Sequence, residues 1–330
     1  MHSPALERFY SRLDLVEREM ARVVPKEAQP SEVYGLLWEF LSLGGKRFRP
    51  LLALSSSLAC GGKESDALPA AAAIELFHNF TLIHDDIEDN SQMRRGKPCL
   101  HIRHGVPLAL NAGDGLFMMV WRAALSIRSP RAAQIQSTLL SSFTAVLEGQ
   151  ARELGWNQRH DWDLSVDDYL GMAGGKTAAL VQASCEVGAL CAGAKPAQIK
   201  ALSSYGHSIG IAFQIQDDIL NLVGEEEKYK KEIGGDIHEG KRTLMVMHAL
   251  PRLSAPNAKR LRAILDSQSA QSADINWAIQ QLQSTGSIDY ASDYAKKLVE
   301  DAQTQLSKLP KNSAREELED VAKFIIEREC

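Results

Sequence analysis

Apolar residues recur at three- and four-residue spacing along almost the whole of this chain, and that pattern constrains the fold more than any other feature. Segments 69–89, 131–155, 197–223 and 290–308 each carry such a stripe, the mark of a helix with one buried face. Alternating β-branched or aromatic runs are hard to find. There is no Asn-Gly hairpin signal and no glycine-rich phosphate loop after a strand. Gly and Pro gather between the stripes, at Pro25 to Pro30, Gly61-Gly62, Ser129-Pro130, Gly174-Gly175, Gly234-Gly235 and Ala255-Pro256. None of these joints has the length of a flexible linker. The pattern predicts an all-α fold in one large domain over residues 1–330, although a chain of 330 residues, at roughly 150 per domain, allows two.

Composition excludes several functions. With 45% hydrophobic and 24% charged residues the chain is an ordinary globular one. A net charge of −5 has the wrong sign for a dedicated nucleic-acid binder, so an anionic ligand must be met by local basic clusters. The longest apolar stretch, Thr177 to Ala194, contains Gln182 and Glu186 and reads as a buried helix, not a membrane span. The N-terminal stretch has no apolar signal core. The five cysteines (Cys60, Cys99, Cys185, Cys191, Cys330) have no metal-like spacing and suit free thiols in a reducing compartment. The expected location is the cytoplasm.

One internal echo stands out. Ile83-His84-Asp85-Asp86-Ile87-Glu88-Asp89 resembles Ile215-Gln216-Asp217-Asp218-Ile219-Leu220-Asn221, and both close long helical runs. Residues i and i+4 share a helix face, so Asp85 stacks one turn from Asp89, and Asp217 from Asn221. Two carboxylates about 4 Å apart repel by about 4 kcal/mol at an effective dielectric of 20, and acid near a helix C-terminus also opposes the helix dipole. A purely structural helix gains nothing from that. A solvated acidic helix end accounts for one such cluster; two of them favour magnesium, whose preferred ligands are carboxylate oxygens.

Basic residues sit nearby in sequence. Gly44-Gly45-Lys46-Arg47-Phe48-Arg49-Pro50 puts three cations on a glycine-rich turn, with Pro50 suited to the first turn of the next helix. Arg94-Arg95-Gly96-Lys97-Pro98 follows the first acidic cluster. Lys176-Thr177 follows Gly174-Gly175 at a predicted helix start, and Lys230-Lys231 and Lys241-Arg242 flank Gly234-Gly235-Asp236. Each alone reads as solvated surface. Together with the acidic pairs they suit a ligand with several phosphates and bound magnesium, and the apolar helices suit a hydrocarbon tail.

In this ordered set the chain resembles the trans-isoprenyl diphosphate synthases. The turn at 44–50 resembles that family's GGKR-x-RP segment, and His78 through Asp89 with Arg94-Arg95-Gly96 resembles its first aspartate-rich motif. Gly149-Gln150, Lys176-Thr177, Phe213 to Asp218 and Glu239 to Leu244 follow in the family's order. The resemblance implies a bundle of long helices around a central cavity, usually as a homodimer. It also implies condensation of isopentenyl diphosphate with an allylic diphosphate held by three magnesium ions. Carried over by position, Asp85, Asp89 and Asp217 would be magnesium ligands, with Asp86 and Asp218 in support. Arg94, Lys176, Lys231 and Lys241 would contact the allylic diphosphate, and Lys46, Arg49, His78 and Arg95 the isopentenyl diphosphate. Gln214 and the backbone at Lys176-Thr177 would face the developing carbocation.

Three positions depart from the family pattern. Asn221 stands where many members have Asp, Glu153 where the usual motif has Asp, and Lys230-Lys231 where the family shows Gly-Lys. None of them removes an expected direct ligand. In the family, the residues four and five before the first motif set product length; here they are Thr81 and Phe80, with Phe80 about 7.5 Å along the helix from Asp85. One aromatic with a small neighbour resembles medium-chain members and points to the twenty-carbon product, with fifteen and twenty-five carbons as alternatives. Phe77 and Phe80 also read as plain core aromatics.

Other readings are a class I terpene cyclase, a His-Asp phosphohydrolase suggested by His78, His84 and Asp85, and a non-catalytic synthase subunit. A cyclase has no use for Lys46, Arg49 and Arg95; the remaining histidines supply no second His-Asp metal set; and a subunit is expected to lose motif residues that this chain keeps. His84 reads as a packed histidine.

Overall fold

A computed structural model describes residues 3–224, 233–269 and 271–327. Its helices are α1 (Pro4–Tyr10), α2 (Leu13–Val23), α3 (Ser31–Leu41), α4 (Phe48–Ala59) and α5 (Glu64–Glu88), then α6 (Leu100–His104), α7 (Val106–Leu125), α8 (Ala132–Arg159), α9 (Val166–Ala173), α10 (Ala179–Cys191) and α11 (Pro196–Val223). Further helices follow at Gly235–His238, Leu244–Ala249, Ala255–Asp266, Ser272–Ser284, Ser287–Leu306 and Ser313–Glu327. The all-α expectation holds. No helix among the described residues is long and apolar enough to cross a membrane.

The contacts group the chain into two compact units. The first comprises residues up to 141 with 183–202 and 308–318. In it α5 packs on α4 and on α7, and α7 also meets α3. Leu51, Leu52, Leu54, Ile74, Leu76, Phe77 and Leu116 are fully buried there. The start of α5 is fixed locally: the Lys63 N–H donates to Asp66 Oδ2 at 3.0 Å, and acid in the first turn suits the helix dipole. Arg12 grips Glu317 through two hydrogen bonds of 2.8 and 2.7 Å and ties the N-terminal helices to the segment at 308–318.

The second unit comprises 142–182, 203–307 and the residues from 319 on, within the described limits. Tyr169, Tyr205, Ile209, Ile215, Leu244, Leu261 and Leu282 form its core. Its helix at 287–306 packs on the helix at 244–249, where His248 stacks on Tyr290 at 4.0 Å.

Two local features depart from the sequence reading. Met93-Arg94 and Lys97-Pro98 form a two-stranded antiparallel ribbon closed by Arg95 (φ 51°) and Gly96 (φ 76°). Both loop residues are left-handed, as a two-residue hairpin requires, but Arg replaces the usual Asn and so the signal was absent from the sequence. Secondly, Lys176 does not begin a helix. Gly174–Ala178 is a π-helical turn between α9 and α10, in an unbroken helical path.

Candidate active site

In the first unit the functional side chains come from the turn at 44–47, the start of α4, the C-terminal half of α5 and the hairpin. Asp85 lies half-buried near the end of α5, and Asp89 is exposed at its C-cap. Asp86 is 1% exposed, and its Oδ1 accepts Arg94 Nε at 2.9 Å and Nη2 at 2.5 Å. That bond sets the hairpin against α5 and engages the Asp86 carboxylate with Arg94. Arg95 donates to the Gly44 carbonyl, joining the hairpin tip to the glycine-rich turn. Arg49 Nη1 lies 3.2 Å from His78 Nε2. Arginine is always the donor, so Nε2 accepts and the ring proton sits on Nδ1. Burial, together with Arg49, Arg95, Arg94 and Arg47, holds His78 well below the usual histidine range, so it is neutral. Lys46 is exposed and makes no ion pair among the described residues. Arg47 belongs to a different group: it is buried against Glu17 and Glu75 and is not offered to a ligand.

The residues expected to set product length lie earlier on α5. Phe80, 8% exposed, contacts Phe77 at 5.5 Å, Phe117 at 5.2 Å and the edge of His84 at 4.6 Å. Thr81 Oγ1 donates to the His78 carbonyl at 2.9 Å, which pins that side chain to its own helix. His84 occupies space that any side chain at position 113 would fill, and is packed as expected.

In the second unit Lys176 pairs with Glu153, a residue 9% exposed. The close approach of α8 to the π turn depends on Gly149, where a Cβ would lie 2.2 Å from the Lys176 nitrogen. Burial opposes the Glu153 charge, but Lys176 and Lys241 overcome it and hold its carboxyl below the usual range. Thr177 Oγ1 donates to Gln214 Oε1 at 2.7 Å, and Gln214 Nε2 donates to Asp218 Oδ1 at 2.7 Å. Tyr169 donates to Asp218 Oδ2 at 2.8 Å. Burial first, and then Asp236, push the Asp218 carboxyl up to about 8. Both oxygens of Asp218 are thus engaged within the fold, next in sequence to Asp217. Lys241 meets Asp236 at 2.8 Å and Glu239 at 2.6 Å; burial works against its charge, but these acids keep it fully protonated. Lys231 lies outside the described residues.

Tyr169 and Asp236 escaped the sequence reading. Tyr169 looks like any core aromatic of an amphipathic helix, and only its buried partner reveals the hydroxyl's use. Asn221 also acquires a reason: its Oδ1 accepts the Asp236 N–H at 2.9 Å and its carbonyl the Gly234 N–H at 2.7 Å. An amide there anchors the turn that carries Asp236 and, unlike a carboxylate, adds no charge that would push the Asp218 carboxyl up further.

Asp85, Asp89 and Asp217 offer the hard oxygen donors that magnesium takes. Among the described residues no three acidic, His or Cys side chains form an ion cage, so an ion at these positions would draw the rest of its shell from water or a bound diphosphate.

The polyprenyl synthetase family model matches residues 30–282. A short chain isoprenyl diphosphate synthase of Methanothermobacter thermautotrophicus is 42% identical over 292 residues, 88% of each chain. The crystal structure of a geranylgeranyl pyrophosphate synthetase from Pyrococcus horikoshii is 38% identical, with a TM-score of 0.93 over 98% of both chains. A geranylgeranyl pyrophosphate synthase from Corynebacterium glutamicum, complexed with isoprenyl diphosphate and magnesium, is 30% identical, with a TM-score of 0.85 over 98% of both chains. The match takes in the glycine-rich turn, both aspartate pairs and the π turn alike, and the chain belongs to the polyprenyl synthetase family.

Proposed function

We propose that this protein is a trans-isoprenyl diphosphate synthase that condenses isopentenyl diphosphate with an allylic diphosphate to give geranylgeranyl diphosphate. The observation that carries this reading is the cation set of the first unit. The Arg49–His78 pair, Arg95 bonded to the Gly44 carbonyl and, two residues on in that turn, the exposed Lys46 supply one anion site more than an allylic ionisation alone requires.

Lys46, Arg49, Arg95 and the Nδ1 proton of neutral His78 would hold isopentenyl diphosphate. Arg94, Lys176 and Lys241, with Lys231, would hold the allylic diphosphate. Asp85, Asp89 and Asp217 would carry three magnesium ions, which when bound neutralise charge on the departing diphosphate. Thr177 and Gln214 would turn oxygens toward the allylic cation; Gln214 Oε1 already accepts from Thr177, which fixes its orientation. Phe80, backed by Phe77 and Phe117 and flanked by Thr81, would form the floor that stops growth at twenty carbons.

The chain would work as one catalytic domain and as a homodimer in the cytoplasm. An exposed apolar series on α6 and α7 supports the dimer: Ile102, Val106, Leu108, Leu110, Met118 and Leu125, the last 68% exposed.

The test is a product assay with magnesium, isopentenyl diphosphate and, separately, five-, ten- and fifteen-carbon allylic starters, with the dephosphorylated alcohols sized by mass. A dominant twenty-carbon alcohol is expected. Diphosphate release from the allylic substrate alone would instead indicate a cyclase, and no elongation from any starter would refute the synthase reading.

A further inference from the structure

The glycine-rich turn carries three cations in sequence, but the structure separates them. Arg47 is 2% exposed, and its guanidinium is held from three directions. Nε donates to Glu17 Oε1 of α2 at 2.7 Å, Nη1 to Glu75 Oε1 of α5 at 2.8 Å, and Nη2 to the Leu41 carbonyl at the end of α3 at 3.0 Å. Burial opposes its charge, but the two carboxylates hold the guanidinium above its ordinary value.

The backbone of Arg47 is left-handed, with φ 45°, an unfavourable conformation for a residue with a Cβ. Such a conformation persists only where the surroundings enforce it, and it tends to mark functional sites. Gly44 (φ 77°) and Gly45 (φ 142°) precede it, so three of the four residues from 44 to 47 have positive φ, and Lys46 lies between them. The enforced step falls between the two cations, Lys46 and Arg49, that have been assigned to isopentenyl diphosphate. The same Glu75 oxygen also accepts from Asn79, the residue after His78, whose Nδ2 donates to Oε1 at 2.9 Å. One carboxylate therefore joins the turn bearing Lys46 to the helical turn bearing His78.

We propose that Arg47 is a positioning residue for isopentenyl diphosphate: its three-way buried clamp enforces the left-handed step that sets Lys46 and Arg49 in register with His78. This rests on the functional reading given above. A residue that merely stabilised the fold would change the amount of folded enzyme and leave the affinity of that enzyme unaltered. A positioning residue changes the affinity for one substrate.

The variants are Arg47→Lys, which keeps a charge but cannot hold three planar bonds, and Glu17→Gln, which weakens one arm at a half-exposed position and leaves the rest intact. Each is measured for thermal unfolding and for steady-state kinetics with both substrates varied. Arg47→Lys is expected to raise KM for isopentenyl diphosphate about tenfold or more, with KM for the allylic diphosphate within about twofold of the parent. Glu17→Gln is expected to move the same constant in the same direction by less. Equal rises in both KM values, or unchanged KM values with kcat lowered in proportion to the folded fraction, would overturn the proposal. If Arg47→Lys does not fold, Glu17→Gln decides, and an unchanged KM there overturns it. Failure of the unsubstituted enzyme to elongate any starter would refute the functional reading, and the proposal with it, before any variant is measured.

Discussion

The hydroxyl of Tyr169 donates to Asp218 at 2.8 Å, and the oxygen it reaches is not the one that Gln214 holds. Asp218 is thereby clamped from α9 and from its own helix, and the chain Thr177–Gln214–Asp218–Tyr169 joins the π turn to the second aspartate pair. The clamp occupies Asp218 and leaves its neighbour Asp217 as the member of the pair proposed to meet magnesium. Burial and Asp236 still hold the Asp218 carboxyl up at about 8, so the two hydrogen bonds fix its position, not its charge.

Tyr169→Phe removes one donor from a buried carboxyl and leaves Asp218 Oδ2 unsatisfied. The expected cost is about 1–3 kcal/mol of stability. The larger consequence is at the metal: loss of an outer partner typically weakens metal affinity or activity by about 10- to 100-fold. Titration of activity against magnesium should show half-saturation displaced upward, and an unchanged titration would exclude the link.

Phe80→Ala opens the aromatic cluster beside Phe77 and Phe117 and is expected to lengthen the product beyond twenty carbons. Removing a buried phenylalanine ring typically costs about 3–5 kcal/mol, so the assay belongs well below the variant's own unfolding temperature. A longer native product would keep the enzyme class and refute Phe80 as the floor.

Gly149→Ala sets a methyl group against the Lys176 backbone, where the built Cβ lies 2.2 Å from the nitrogen. Backbone cannot yield as a side-chain tip does, so the π turn must move. Overpacking of this kind costs about 1–3 kcal/mol, and a displacement of about 1 Å at a catalytic group can cost about 100-fold in rate. A variant with near-native kcat would show that the π turn is not needed for catalysis.

His78 gives the pH dependence. Its folded pKa lies well below the unfolded value of about 6.5, because of burial and the surrounding arginines. Above about pH 6.5 neither state binds the proton and the group is silent. Below that, the unfolded chain takes up a proton that the folded chain refuses, so stability falls as pH falls from 6.5 toward the folded value, by about 1.4 kcal/mol per unit of separation. The unfolding midpoint of the parent should therefore drop more steeply between pH 6.5 and 5 than that of His78→Asn. Parallel curves would contradict a neutral buried His78.

The long helices were legible because each has a continuous apolar stripe: the stripes at 69–89 and 197–223 fall within Glu64–Glu88, save its last residue, and Pro196–Val223. Asp85 and Asp89 were legible because carboxylates at i and i+4 near a helix end are costly without a ligand, and Asp217-Asp218 because their surrounding sequence echoes that first cluster. The hairpin at 93–98 was missed because Arg95 adopts a conformation usually given to Asn. The π turn was missed because Gly174-Gly175 reads as a helix boundary, whereas Gly175 and Gly149 instead allow two helices to approach closely.

By itself the sequence determined the helical class, the two acidic helix ends and the order of the motifs, since each is written in local spacing. It did not distinguish Arg47 from Lys46 and Arg49, or Tyr169 from a core aromatic. Arg47 meets carboxylates 30 and 28 residues away, and Tyr169 meets Asp218 across 49 residues. Whether a cation is offered to a ligand or consumed inside the fold depends on which opposite charges the packing brings to it. That is set by contacts between distant segments, and only the tertiary structure decided it.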